Sequence, residues 1–118
     1  MARILVVDDA AFMRHMISQM VAGIHEVTGE AANGREAIQK YKELRPDIVT
    51  MDITMPDMQG IEAVREIIAY DPKAVILMCS AMGNREAVLT AIKSGAKDFI
   101  TKPLQKERLL EAIDRWIT

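Results

Sequence analysis

Apolar residues along this chain come in two rhythms that alternate five times. Short apolar runs bounded by polar residues mark strands buried on both faces. They occur at Arg3–Val7, Asp47–Met51 and Ala74–Cys79, with a shorter one at Lys97–Thr101. Glu26–Ala32 is a weaker, half-polar strand suited to a sheet edge. Between these runs the apolar positions recur at helical spacing. Residues 10–24 carry Met13, Met16, Ile17, Met20, Val21 and Ile24, and Gly23 is a plausible terminator. Ala37, Ile38, Tyr41 and Leu44 mark a second helix, closed by Arg45-Pro46, and Ile61, Val64 and Ile68 mark a third over Gly60–Ala69. Ala87, Val88, Ala91 and Ile92 give a fourth over Asn84–Ser94, capped by Gly95. Leu109, Leu110, Ile113, Trp116 and Ile117 give a terminal one. Asn33-Gly34 reads as a turn and Asp71-Pro72 as a helix break.

Strand–helix pairs joined by short links imply right-handed crossovers and one parallel sheet. The three most apolar strands belong in the centre and the two polar ones at the edges. The expected fold is therefore α/β, a (βα)5 flavodoxin-like domain over residues 1–118 with strand order 2-1-3-4-5. Its switch point falls between the first and third strands, where such sheets bind ligands.

That arrangement gathers charge. Asp8 and Asp9 end the first strand, Asp52 ends the third and Lys102 ends the fifth. Two unpaired charges about 5 Å apart repel by roughly 3 kcal/mol at an effective dielectric near 20, so three carboxylates together call for a cation. Mg²⁺ suits them, with Mn²⁺ as an alternative, because it takes one or two carboxylates and keeps several waters. The main-chain carbonyl of Thr54 is placed to add an oxygen. An aspartate can also attack phosphorus to form an acyl phosphate, and phosphoryl transfer asks the protein mainly for positioning and charge neutralisation. Asp52 as nucleophile, Lys102 as cation and the Ser80 hydroxyl at the end of the fourth strand make that inventory. The plainer reading of Asp8 and Asp9, as favourable charge at a helix N-terminus, needs only one of them and explains neither Asp52 nor Lys102.

Composition narrows the field. Half of the 118 residues are hydrophobic, 27% are charged, and net charge is −2 with both signs scattered. This is a globular composition, without the basic face that nucleic acid requires and without an apolar run long enough to span a bilayer. The lone Cys79 fits a reducing compartment, and Met1-Ala-Arg3 leads straight into a strand without a secretory signal. A cytoplasmic monomer is expected. Nine methionines are unusual, and flexible core filler is their ordinary use.

Val6-Val-Asp8-Asp9, Met51-Asp-Ile-Thr-Met-Pro56, Cys79-Ser-Ala-Met82 and Lys102-Pro103 follow one another at the spacing of bacterial response-regulator receiver domains. The match spans the chain and is specific as a set. Its wording is similar to the stand-alone chemotaxis members of that family. The resemblance implies phosphorylation of Asp52 by a histidine kinase, dependence on Mg²⁺ and self-catalysed loss of the phosphate, in a signalling switch rather than an enzyme. It assigns Asp9, Asp52 and the Thr54 carbonyl to the metal, Asp8 acting through water. It assigns Ser80 and Lys102 to the phosphoryl group, and Ser80 and Phe99 to a switch that reshapes the face of the fourth helix, fifth strand and fifth helix. A flagellar motor switch protein and a phosphatase are the further partners it implies. Thr54 and Met82 stand at positions that flank the path of the hydrolytic water in the family. Phe99 lacks the hydroxyl of the tyrosine in many members, and Leu104 stands where phenylalanine is commoner. Lys102-Pro103 is expected to be cis.

Other readings share parts of this pattern. A flavodoxin-type cofactor binder would need a hydroxyl-rich phosphate loop where Asp8-Asp9 stands. A haloacid-type phosphatase would need a second aspartate at Thr54. A phosphorelay intermediate, or the receiver of a larger regulator, would carry the same residues.

Overall fold

The computed structural model describes residues 1–117 and has the expected topology: five parallel strands in the order β2-β1-β3-β4-β5, alternating with five helices. The strands are β1 (Arg3–Val7), β2 (Glu26–Ala31), β3 (Ile48–Met51), β4 (Ile76–Ser80) and β5 (Asp98–Thr101). The helices are α1 (Ala11–Val21), α2 (Gly34–Leu44), α3 (Gly60–Tyr70), α4 (Arg85–Ser94) and α5 (Lys106–Ile117). Every residue of β3 and β4 is buried, whereas only Ala31 of β2 and Ile100 of β5 are, so the polarity of the runs sorted centre from edge.

Alternation along the strands divides the core into two layers. Leu5, Val7, Val49, Met51, Ile76 and Met78 pack with residues of α2, α3 and α4, including Tyr41, Val64, Ile67 and Ala91. Ile4, Val6, Ile48, Leu77, Cys79 and Ile100 face α1 and α5, against Met13, Ile17, Leu109 and Ile113. The helices are anchored unequally. Ala63, Val64 and Ile67 of α3 and Leu109, Ala112 and Ile113 of α5 are buried, but α4 buries Ala91 alone.

The buried helical stripes are narrower than their spacing in the sequence suggests. The first helix stops at Val21, short of the expected residue 24, because Gly23 takes φ 81° and turns the chain. Met16, Ile24, Ile92 and Trp116 are exposed. In α3 the buried position is Ile67, and Ile68 is only half-buried. Asn84 is the cap of α4 and not its first residue, its side chain accepting from the amide of Ala87. The second and fifth strands, like the third and fourth, differ from the expected limits by one or two residues. The Lys102-Pro103 bond is cis, as expected.

Candidate functional site

Three of the singled-out residues lie one position past a strand, and each is held there by the ladder running on for one more bond. The amide of Asp8 donates to the Ala31 carbonyl (3.1 Å), that of Asp52 to Val7 (3.1 Å) and that of Lys102 to Ser80 (2.9 Å). Strand ends normally release the chain to solvent. Here the extra bonds carry sheet rigidity into the residues that bear charge, which suits a site needing fixed geometry.

The carboxylates of Asp8, Asp9 and Asp52 converge, with one oxygen of each lying within 4.8 Å of the others. Asp8 and Asp52 are buried, and Asp9 is exposed. Lys102 enters the same cluster. Its ammonium donates to Asp8 Oδ2 at 2.8 Å and lies 3.6 Å from Asp52 Oδ2. The second oxygens of Asp8 and Asp52 are also engaged: Asp8 Oδ1 accepts from the Ala10 amide (2.9 Å) and Asp52 Oδ1 from the Ile53 amide (2.9 Å).

Burial sets the electrostatics. Dehydration pushes the Asp52 carboxyl above the ordinary range; Lys102 pulls it back, while Asp8 and Asp9 add to the rise. For Lys102 burial works downward, but its bond to Asp8 and the charges of Asp52 and Asp8 prevail and its pKa is raised. The lysine therefore stays charged while the carboxylate beside it is strained by its surroundings. One monovalent cation among three carboxylates leaves an excess of negative charge. A compact nest of oxygens with that excess is the donor set of a hard divalent ion, so the residues fit Mg²⁺.

Around the cluster the structure places the other sequence candidates as follows. Ser80 is buried, and its Oγ accepts from the Met82 amide (3.1 Å). Thr54 and Met82 are exposed on the loops after β3 and β4, and the Thr54 hydroxyl donates to Met82 Sδ at 3.3 Å. Phe99 is half-buried on β5, packed toward the α2–α4 layer and lining a groove with Pro103 and Arg108.

Two supporting residues leave little trace in the sequence. Arg14 on α1 donates through Nη1 to the Asp8 carbonyl (2.7 Å) and through Nε to Glu30 (2.9 Å), tying the first loop to β2. Gly60 lies so close to β3 that a Cβ there would come within 1.9 Å of the Asp52 carbonyl oxygen, and its amide donates to Ile53 (2.8 Å). A glycine opening a helix eight residues after the central aspartate was the only available hint.

Comparison with known proteins agrees with this geometry. Residues 4–114 match the family model of the response regulator receiver domain. The chain is 61% identical to the chemotaxis protein CheY of Thermotoga maritima, covering 96% of this chain and 95% of that protein. It is 59% identical to the chemotaxis protein CheY of Bacillus subtilis, with the same coverage. Among solved structures, it superposes with a TM-score of 0.94 on a chain of the CheX–CheY–BeF3–Mg²⁺ complex from Borrelia burgdorferi, at 36% identity over 98% of this chain and 89% of that one.

Proposed function

Since the chain belongs to the response regulator receiver family, we propose that Asp52 is its phosphoacceptor and that residues 1–118 form one receiver domain. It is a chemotaxis response regulator of the CheY type, a signalling protein rather than an enzyme. The observation that carries the assignment of Asp52 is its position. Asp8 shares the acidic nest and the reach of Lys102 but has both oxygens hydrogen-bonded, to Lys102 and to the Ala10 amide. Asp52, at the end of the central strand β3, has only Oδ1 hydrogen-bonded and turns Oδ2 toward the same ammonium at 3.6 Å.

A carboxylate oxygen of Asp52 attacks phosphorus, the bond to the donor's leaving group breaks, and an acyl phosphate remains. Asp9, Asp52 and the Thr54 carbonyl would hold Mg²⁺, with Asp8 acting through water, and the ion would neutralise phosphoryl charge there. Lys102, pinned by Asp8, offers its ammonium to a second phosphoryl oxygen. The Ser80 hydroxyl, now an acceptor from Met82, turns to donate to a third, so the loop after β4 moves with it. Phe99 then packs into the space released, and the face of α4, β5 and α5 changes shape. With no hydroxyl on Phe99, this switch works through packing alone.

The donor is a histidine kinase, and the receiving partner is the flagellar motor switch. A phosphatase partner is favoured by the relative from Borrelia burgdorferi, whose complex contains CheX. No helix among the described residues is long and apolar enough to cross a membrane; the likeness to CheY supports work in the cytoplasm, and we take the chain to act as a monomer. Acetyl phosphate with Mg²⁺, followed by intact mass, tests the core of this reading. The parent should show a transient mass gain of one phosphoryl group that Asp52→Asn does not. An equal gain in both, or none in either, refutes the assignment.

A further inference from the structure

The chemistry above leaves one contact unused. Met82 Sδ accepts from the Thr54 hydroxyl, and the Met82 amide donates to Ser80. A single thioether thus joins the loop that carries Asp52 to the loop that carries Ser80. Its side chain also lines a cavity of about 290 Å³ with the apolar Ile53, Ile61 and Ala87 and the polar Asn84, Glu86 and Thr90. Where the two loops meet, the group that faces the Thr54 hydroxyl is a thioether, a weak acceptor and no donor.

Met82 is also open to reagents. It is 46% exposed, whereas Met13, Met51, Met55 and Met78 are buried. The other exposed methionines, Met1 and Met16, lie before β1 and on α1, away from the loops that follow β3 and β4. We propose that Met82 is a peroxide-sensitive modification site, and that its oxidation shortens the life of the phosphate on Asp52. The inference rests on the phosphoacceptor reading above and extends it to the redox state of the medium.

The chemistry balances with a hydroperoxide as oxidant. The sulfur lone pair attacks the terminal oxygen, an S–O bond forms and the O–O bond breaks. Sulfur loses two electrons, the peroxide gains them, and with hydrogen peroxide the leaving hydroxide takes the remaining proton to give water. The product is the sulfoxide, which enzymatic reduction restores to the thioether. A weak sulfur acceptor is thereby replaced by a strong oxygen acceptor on the same flexible stem. That oxygen competes for the Thr54 hydroxyl and gives an incoming water a partner at the rim of the nest. One added hydrogen bond to the attacking water corresponds to roughly fivefold in rate.

The test treats the protein with limiting hydrogen peroxide, maps the oxidised methionines by peptide mass, and follows loss of phosphate after loading with acetyl phosphate and Mg²⁺. Met82 should oxidise ahead of the four buried methionines, and the half-life should fall roughly fivefold. Met82→Leu, which keeps an apolar side chain at this position and all other methionines, should show no peroxide effect. Met82→Gln, with an amide oxygen on a stem of similar reach, should lose phosphate faster than the parent without peroxide. An unchanged half-life with Met82 fully oxidised, or an equal change in Met82→Leu, overturns the proposal. A protein that takes up no phosphate before oxidation fails the underlying assignment of Asp52, whereas uptake followed by a peroxide-independent lifetime fails this inference only.

Discussion

Lys102 is the natural place to perturb the site, because its charge holds two buried carboxylates together. Its ammonium lies 2.8 Å from Asp8 and 3.6 Å from Asp52. At an effective dielectric near 20 the gross attractions are about 6 and about 5 kcal/mol, opposed by the cost of dehydrating the lysine. Removing one partner of a buried pair costs roughly 3–5 kcal/mol, mostly because the remaining charge is left alone. Lys102 keeps 19% of its side-chain exposure, so Lys102→Met should fall at the low end, about 3 kcal/mol. For a domain of this size that corresponds to about 12 °C in melting temperature. The loss should depend on the medium. In EDTA nothing replaces the ammonium, whereas saturating Mg²⁺ brings positive charge to the same carboxylates and should narrow the gap to about 1 kcal/mol or less. Urea unfolding of parent and variant, each in EDTA and in Mg²⁺, measures all four stabilities. A gap equally large in both media would mean that lysine and metal do not serve the same carboxylates. A variant as stable as the parent in EDTA would mean that Asp8 and Asp52 do not need the lysine at all.

Two further perturbations probe parts of the scaffold. Gly60→Ala forces a methyl against the Asp52 carbonyl and should cost about 1–3 kcal/mol, with slower uptake of phosphate from acetyl phosphate, since the strain lands on the residue that reacts. An unstrained, fully active variant would show that the α3 start can move away freely. At the opposite end of the sheet, His25 is buried, and its Nδ1 accepts from the Ala2 amide at 2.9 Å, which places the ring proton on Nε2. Burial and then the N-terminal ammonium lower its pKa below the usual 6.5, against an opposing pull from Asp114. The folded state therefore binds this proton less readily than the unfolded chain. Its contribution is complete above about pH 6.5 and is lost as pH falls below that, toward the folded-state value. His25→Asn, which keeps an acceptor near the Nδ1 position but does not titrate, should flatten the decline in stability between pH 7 and pH 5 in urea melts. An unaltered slope would assign that decline to other groups.

The fold was legible because burial on both faces leaves an unmistakable sequence trace. A run such as Ile4–Val7 or Ile76–Cys79 has no polar side to present, and half-polar Glu26–Ala31 can only be an edge. The charged site was legible for the same reason, since Asp8, Asp52 and Lys102 each interrupt the chain where a strand runs out. Helix faces were less so. Met16 and Ile92 fit the spacing of their stripes yet face solvent, because a stripe has a width that periodicity alone does not supply. The bond from Lys102 to Asp8 spans 94 residues and depends on a side-chain path that no local pattern encodes. Arg14 and Gly60 were hidden because their roles are addressed to backbone carbonyls, which every residue has.

The unequal anchoring of the helices tells which part of the molecule can be persuaded to move. Lifting α3 or α5 would expose three buried side chains apiece, several kcal/mol of apolar contact at about 0.8 kcal/mol per methylene-sized group. Lifting α4 exposes one fully buried alanine methyl and the covered parts of Ala87 and Val88. A charge-assisted hydrogen bond at the end of β4 contributes roughly 1.5–3 kcal/mol, enough to shift the second and too little for the first. The molecule is thus stiff where it does chemistry and pliant along a single rib, and any message leaving the acidic rim has one inexpensive exit.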